Sequence, residues 1–373
     1  MKRFLAALFL GMAFCISGAT TAAEPANEGA RGRPFRIYVI TYRGQTDVER
    51  GFADYLAQRG VPVEITYRDI ALDPKRLPGL VDEIRRTRPD LVCTWGTPVT
   101  LGIAGAWDKA DSRRHITDIP IVFSVVASPV SAGIVADLKS PARNVTGVSH
   151  VATTEAQVQA MSAYRPFRTL GIIYTPTEPN SRAVLAELKE LGQRQGFTVE
   201  ARPFHLDATG RPSAEGTEDL VRQLKDAGAQ WLYLPPDSFL NQQARERVLP
   251  AALQAGLPTF ATTEGLMTAG ALAGLVSRYY SLGQFAAYKA EEILVHKTPP
   301  GRIPVETLSR FSLQINLYAA RRLGLLPPLG MFNYAEFLGV GETCTDGKRT
   351  QVGPCPPSAG ADVHRVPAET RRP

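Results

Sequence analysis

The 373-residue chain is 44% hydrophobic with a formal net charge of +6, which supplies cores for two domains of ordinary size. The positive excess is mild and unclustered: no five like charges run together, and no basic run interleaves with aromatics. That pattern excludes the usual electrostatic footprint of a nucleic-acid binder.

In chain order, the first feature is a leader. Lys2 and Arg3 precede an apolar run over residues 4–16, and small residues lead to Ala23 and then Glu24-Pro25. Positive start, short apolar core and small-residue cleavage site make a secretory signal peptide over residues 1–23. The core is too short for a membrane span, which needs about 20 apolar residues. Cleavage after Ala23 leaves 350 residues and a net charge of +4. Residues 24–33 read as a linker.

Strands and helices then alternate. Strands are expected at 35–40, 61–67, 91–94 and 120–126, with helices at 46–59 and 77–87. A second series follows, with strands at 169–174, 197–202, 231–234 and 258–261 and helices at 181–194, 215–227 and 239–255. Strands spaced by helices of this length make βαβ units and parallel sheets. The fold class is therefore α/β, with two Rossmann-like lobes joined by a multi-segment hinge. A strand at 271–276, a helix at 282–296 and a strand near Phe311 complete the sheets. The expected lobe 1 is 34–147 plus about 263–297, and lobe 2 is 148–262 plus about 298–328. The hinge is expected near Ser149, Thr262 and Pro304. Residues 329–373 lose periodicity and read as a weakly ordered tail. Within it, Cys344 and Cys355 are expected to form a disulfide in an oxidising compartment. Cys93 falls in a buried strand and reads as a small core residue.

Catalytic and metal patterns are missing from the sequence. Gly147-Val148-Ser149-His150-Val151 begins as a nucleophile elbow but lacks its last glycine. The glycines of 341–348 have the wrong spacing for a phosphate loop. The five histidines show no metal-ligand spacing, and no Cys-x-x-Cys occurs. No catalysis, cofactor or metal is expected.

Polar and aromatic residues do gather at strand C-termini, where open α/β sheets bind ligands. Lobe 1 offers Tyr42, Gly96, Thr97 and Ser128. Lobe 2 offers Tyr174, Asn180, Ser181, Asp237 and Ser238. Ser149 and Thr263-Glu264 stand at chain crossings. Helix starts at Thr97, Ser181 and Ser238 can present N–H groups to an anion. Asp237 or Glu264 can pair with an ammonium group, and Tyr42 or Tyr174 can stack on a planar ligand. Each also has an ordinary role open to it as a cap or packing residue.

These loops carry an ordered set of segments: Trp95-Gly96-Thr97-Pro98, Ser128-Pro129-Val130, Asn144-Val145-Thr146-Gly147-Val148-Ser149, residues 173–181, and Leu234-Pro235-Pro236-Asp237-Ser238. Over residues 34–328 the chain resembles ABC-transporter substrate-binding proteins of the tryptophan/tyrosine type, which have a type I periplasmic-binding-protein fold. The resemblance implies an amino-acid-like small-molecule ligand and an ABC permease of the inner membrane as partner. With the leader, a periplasmic location is expected, and with the mild charge, a monomer with no nucleic-acid partner. Where many relatives carry Asp-Pro-Val, this chain has Ser128-Pro129-Val130, which leaves a neutral or acidic ligand open. The alternative function is a sensory receptor that reports ligand occupancy to a membrane kinase or cyclase. An exported hydrolase using Ser149 or Ser128 lacks a base or oxyanion motif.

Overall fold

The computed structural model describes residues 33–339, together with the backbone of 343–346 and 349–352. Lobe 1 begins with β1 (Phe35–Thr41), α1 (Asp47–Gln58), β2 (Val63–Asp69), α2 (Leu77–Thr87), β3 (Leu91–Trp95), α3 (Gly96–Ala104), β4 (Ile121–Val126) and β5 (Val145–Ser149). These strands pair in the order β5-β4-β3-β1-β2, parallel throughout. Every residue of β3 and β4 is buried, as their unbroken apolar runs require of strands covered on both faces. Thr46 and Glu49 close a capping box at the start of α1, with the Glu49 carboxylate 2.6 Å from the Thr46 N–H.

Lobe 2 contains α4 (Thr154–Tyr164), β6 (Thr169–Tyr174), α5 (Pro179–Gln195), β7 (Thr198–Pro203), a short hairpin β8 (His205–Leu206) and β9 (Pro212–Ser213), and α6 (Thr217–Asp226). It continues with β10 (Trp231–Leu234), α7 (Ser238–Gln243), α8 (Leu249–Gln254), β11 (Thr259–Ala261), α9 (Glu264–Ala269) and β12 (Ala273–Val276). The chain then returns to lobe 1 for α10 (Tyr279–Leu294) and β13 (Glu306–Thr307), and ends in lobe 2 with β14 (Ser312–Asn316), α11 (Leu317–Leu323) and β15 (Glu336–Leu338). The second sheet runs β15-β14-β12-β11-β10-β6-β7, parallel except for β12 against β14. Beyond it, β16 (Thr343–Asp346) and β17 (Arg349–Val352) pair antiparallel.

Helix α10 is fixed to lobe 1 by close backbone contact with α1. A Cβ added at Gly283 would lie 1.9 Å from the Val48 carbonyl oxygen, and one at Gly51 would lie 2.1 Å from that of Tyr280. The returning chain is held by Lys289, whose buried ammonium donates to the Pro304 carbonyl and to Glu306, each at 2.7 Å.

Three segments cross between lobes: residues 150–153, 277–278 and 308–311. An isolated antiparallel bridge pairs Val151 with Val276, tying the first two. The crossing near Ser149 stands where the sequence put it, but the other two do not. Strand β12 belongs to the second sheet, so residues 264–276 are in lobe 2 and the crossing falls after them, not at Thr262. Strand β13 pairs with β5, so the last crossing follows Thr307 and not Pro304. A short apolar strand specifies burial and leaves its pairing partner open.

The helix expected over 239–255 is α7, a π turn at Ala244–Val248, and α8. Pro250 supplies no N–H and its ring crowds the preceding turn, which widens it. The expected weak order from 329 is also corrected for its first part. Leu329–Asn333 forms a 3₁₀ turn with Met331 buried, and β15 joins the sheet beside β14. The expected Cys344–Cys355 bridge lies outside the described residues. Cys93 is buried with a free thiol.

Candidate functional site

The C-terminal ends of β1, β3 and β4 deliver one wall of a cleft. Tyr42 and Arg43 follow β1, and Trp95 ends β3. At the β3–α3 junction Gly96 has φ +81°, a left-handed conformation, and its missing Cβ would meet nothing closer than 3.9 Å. Glycine is thus required there for conformation rather than for space. Helix α3 starts without a side-chain cap, so its first N–H groups are open to the cleft at Gly96 and Thr97. After β4 the ladder register shifts and Val125 adopts φ +56°. That is a strained backbone for a β-branched residue, and it turns Val125 and Ala127 toward the cleft.

Three aromatic rings form a box on this wall. Tyr42 and Trp95 are parallel with centroids 6.3 Å apart. Tyr279, the first residue of α10, meets Trp95 edge-on at 6.4 Å. The Arg43 guanidinium carbon lies 5.4 Å from the Trp95 ring centre.

The opposite wall is organised by Asp237, fully buried at the start of α7. One carboxylate oxygen accepts from the Thr175 hydroxyl and the Leu240 N–H, both at 2.8 Å. The other accepts from the Thr175 N–H at 2.7 Å and the Ser181 hydroxyl at 2.6 Å. Four donors fill the carboxylate's acceptor sites. Glu178 accepts from the N–H groups of Ser238 and Phe239 at 3.0 and 3.1 Å. Burial, with the nearby Asp237 charge, pushes the Glu178 carboxyl up to about 7. The N-terminus of α7 is therefore already occupied by the protein's own carboxylates.

His150, at the first crossing, lines the cleft and is 3% exposed. Burial brings its pKa down to about 4, against a backbone hydrogen bond to Val126 that favours the charged form. The ring is neutral at pH 7, and Nδ1 has no partner. Trp95 Nε1 is likewise buried and unpartnered.

Hydrogen bonds join the walls, among them those of the Tyr279 hydroxyl with Thr263 and the Gly265 backbone. Gln242 Nε2 donates to the Tyr42 hydroxyl at 3.0 Å. Glu264, on α9, accepts from the N–H of Tyr279. The cleft is partly open to solvent, and the cavity within it measures about 40 Å³.

Of the residues singled out in the sequence, the cleft brings together Tyr42, Gly96, Thr97, Asn180, Asp237, Ser238 and Thr263. Asp237 stands there as a saturated scaffold rather than as a free carboxylate. Ser181 serves Asp237, and Glu264 caps α10, so neither faces the cleft. Tyr174 packs against the lobe 2 core. Ser128 and Ser149 line an adjoining cleft of about 370 Å³ that shares Ala127 and Pro236 with the first. The Ser149 hydroxyl donates to the Ala127 carbonyl at 2.9 Å. Sequence reasoning missed Arg43, Trp95, His150, Asn241 and Tyr279. Arg43 and Trp95 each adjoin a residue it did name. Tyr279 carried no signal because the helix was read as starting at 282. Among the described residues no group of His, Cys, Asp and Glu is placed to hold a metal, and no helix is long and apolar enough to cross a membrane.

Residues 37–336 match the family model described as ABC transporter substrate binding protein. The "Tyrosine-binding protein" of Clostridioides difficile (strain R20291) is 26% identical over 274 residues, covering 72% of this chain and 74% of the relative. A conserved domain protein from Vibrio cholerae aligns at TM-score 0.70 with 23% identity, covering 82% of this chain and 99% of the other. A domain from Streptococcus pneumonia, solved in complex with L-Trp, aligns at TM-score 0.67 with 23% identity, covering 81% and 99%. These likenesses establish the fold: two parallel-sheet cores in the type I periplasmic-binding-protein arrangement.

Proposed function

The chain belongs to the ABC transporter substrate-binding proteins, and on that premise we propose that it is a periplasmic receptor. It closes its lobes on one small aromatic solute and delivers the solute to a permease in the inner membrane. The observation that carries this reading is the aromatic box of Tyr42, Trp95 and Tyr279 facing Asn180, Ser238 and Asn241 across a cleft. Two of the inter-lobe crossings adjoin that cleft, at His150 and just before Tyr279, so rotation about the crossings opens and closes it. The leader over residues 1–23 accords with export, the extracytoplasmic location that receptors of this family share. Binding without turnover fits the site, because Ser149 is spent on a backbone carbonyl and Asp237 on four donors.

Native mass spectrometry of the protein isolated from its own periplasm tests the reading. A single small-molecule adduct that is released intact on unfolding is expected. Conversion of that molecule by the purified protein, abolished in Ser149→Ala, would replace the receptor with a hydrolase.

A further inference from the structure

The cleft is unbalanced in charge and in hydrogen-bonding capacity. The acid that lines it, Asp237, is saturated, and Glu178 close to it caps α7. The basic side of the cleft is not saturated. Arg43 is in no ion pair with a described carboxylate; its guanidinium lies over the Trp95 ring and beside Gly265. The start of α3 has no side-chain cap. Trp95, 9% exposed, lines the same wall and holds a buried, unpartnered indole N–H. An unpaired buried donor is costly and calls for an acceptor from outside. His150 presents the opposite need, since its free Nδ1 is a buried acceptor.

We propose that the ligand is an aromatic carboxylate without an ammonium group. Resting on the receptor reading above, this assigns each end of the molecule. The carboxylate meets Arg43, the Trp95 N–H and the N-terminus of α3. The ring enters the box of Tyr42, Trp95 and Tyr279. A hydroxyl on the ligand donates to His150 Nδ1. An α-ammonium would enter a cleft whose one lining carboxylate, Asp237, is already saturated, and would lose its hydration without an anionic partner.

Calorimetric titration of the full chain, freed of carried-over solute by dialysis, decides the matter with matched probes. They are 3-(4-hydroxyphenyl)propionate, 3-phenylpropionate, L-tyrosine and tyramine. The hydroxylated propionate is expected to bind at least tenfold more tightly than L-tyrosine, and tyramine not at all. Removing the hydroxyl is expected to cost about tenfold, since a site built for a hydrogen bond rejects the analogue that lacks it. Arg43→Gln, at a half-buried position that bears on no core, is expected to weaken the propionate at least tenfold while leaving the melting temperature unchanged. Tighter binding of L-tyrosine, or equal binding of tyramine, overturns the proposal and leaves the receptor reading standing. Failure of all four probes overturns it too, while the adduct seen in native mass spectrometry separately judges the receptor.

Discussion

Asp237→Asn separates a scaffold role from a ligand-pairing role. Each Asp237 oxygen faces one backbone N–H and one hydroxyl. The hydroxyls of Thr175 and Ser181 can rotate to accept, but the N–H groups of Thr175 and Leu240 cannot. An asparagine turns one oxygen into an NH₂ donor, so in either orientation one backbone N–H opposes another donor. The cheaper orientation leaves Leu240 bonded and drops Thr175 N–H onto the Ser181 hydroxyl at 3.2 Å. Loss of a charge-assisted bond at a fully buried site amounts to about 2 kcal/mol. As an N-cap alone, asparagine is equal to aspartate and the change would cost almost nothing. Urea unfolding followed by circular dichroism and tryptophan fluorescence measures the difference. Destabilisation under about 0.5 kcal/mol, or a loss of ligand affinity with stability intact, would refute the scaffold argument.

Gly283→Ala places a methyl against backbone rather than a yielding side chain, and is expected to cost about 3 kcal/mol by thermal unfolding. Tyr42→Phe removes the Gln242 bond across the cleft; ligand affinity should fall about fivefold, equivalent to about 1 kcal/mol, with little change in the stability of the free protein. His150 stays neutral in the folded state down to about pH 4, against 6.5 for an ordinary histidine. The unfolded chain therefore binds more protons in that window. Stability should fall as pH drops from 6.5 to 4, by an amount on the order of 3 kcal/mol, and His150→Asn should flatten that slope. Glu178 acts in the opposite sense: its folded pKa of about 7 exceeds the ordinary 4.5, so the folded state holds the proton and stability falls as pH rises between the two. Melting curves of Glu178→Gln against pH should show that decline removed.

Most strands were legible as short apolar or alternating runs, many with Gly, Pro or Asp nearby. The run at Thr169–Tyr174 and that at Trp231–Leu234 were read to the residue. Sheet membership was not legible at Ala273–Val276 or Glu306–Thr307, because pairing depends on which edge is free and not on the strand's own residues. In the site, the positions after strand ends could be found from topology, which is why Tyr42, Gly96 and Asp237 were named. Their roles could not be found there. That Asp237 is saturated depends on Thr175 and Ser181, which lie 62 and 56 residues away in sequence. The orphaned atoms of Trp95 and His150 are products of burial, and a residue name carries no sign of it.

Hinged closure on a solute is the centre of the account, and small-angle scattering reads it most directly. The protein is compared with and without a solute that raises its melting temperature. A smaller radius of gyration is expected in the bound state, with one solute per chain, and a reduced change in Tyr42→Phe. An unchanged radius at saturating, stabilising solute would contradict it.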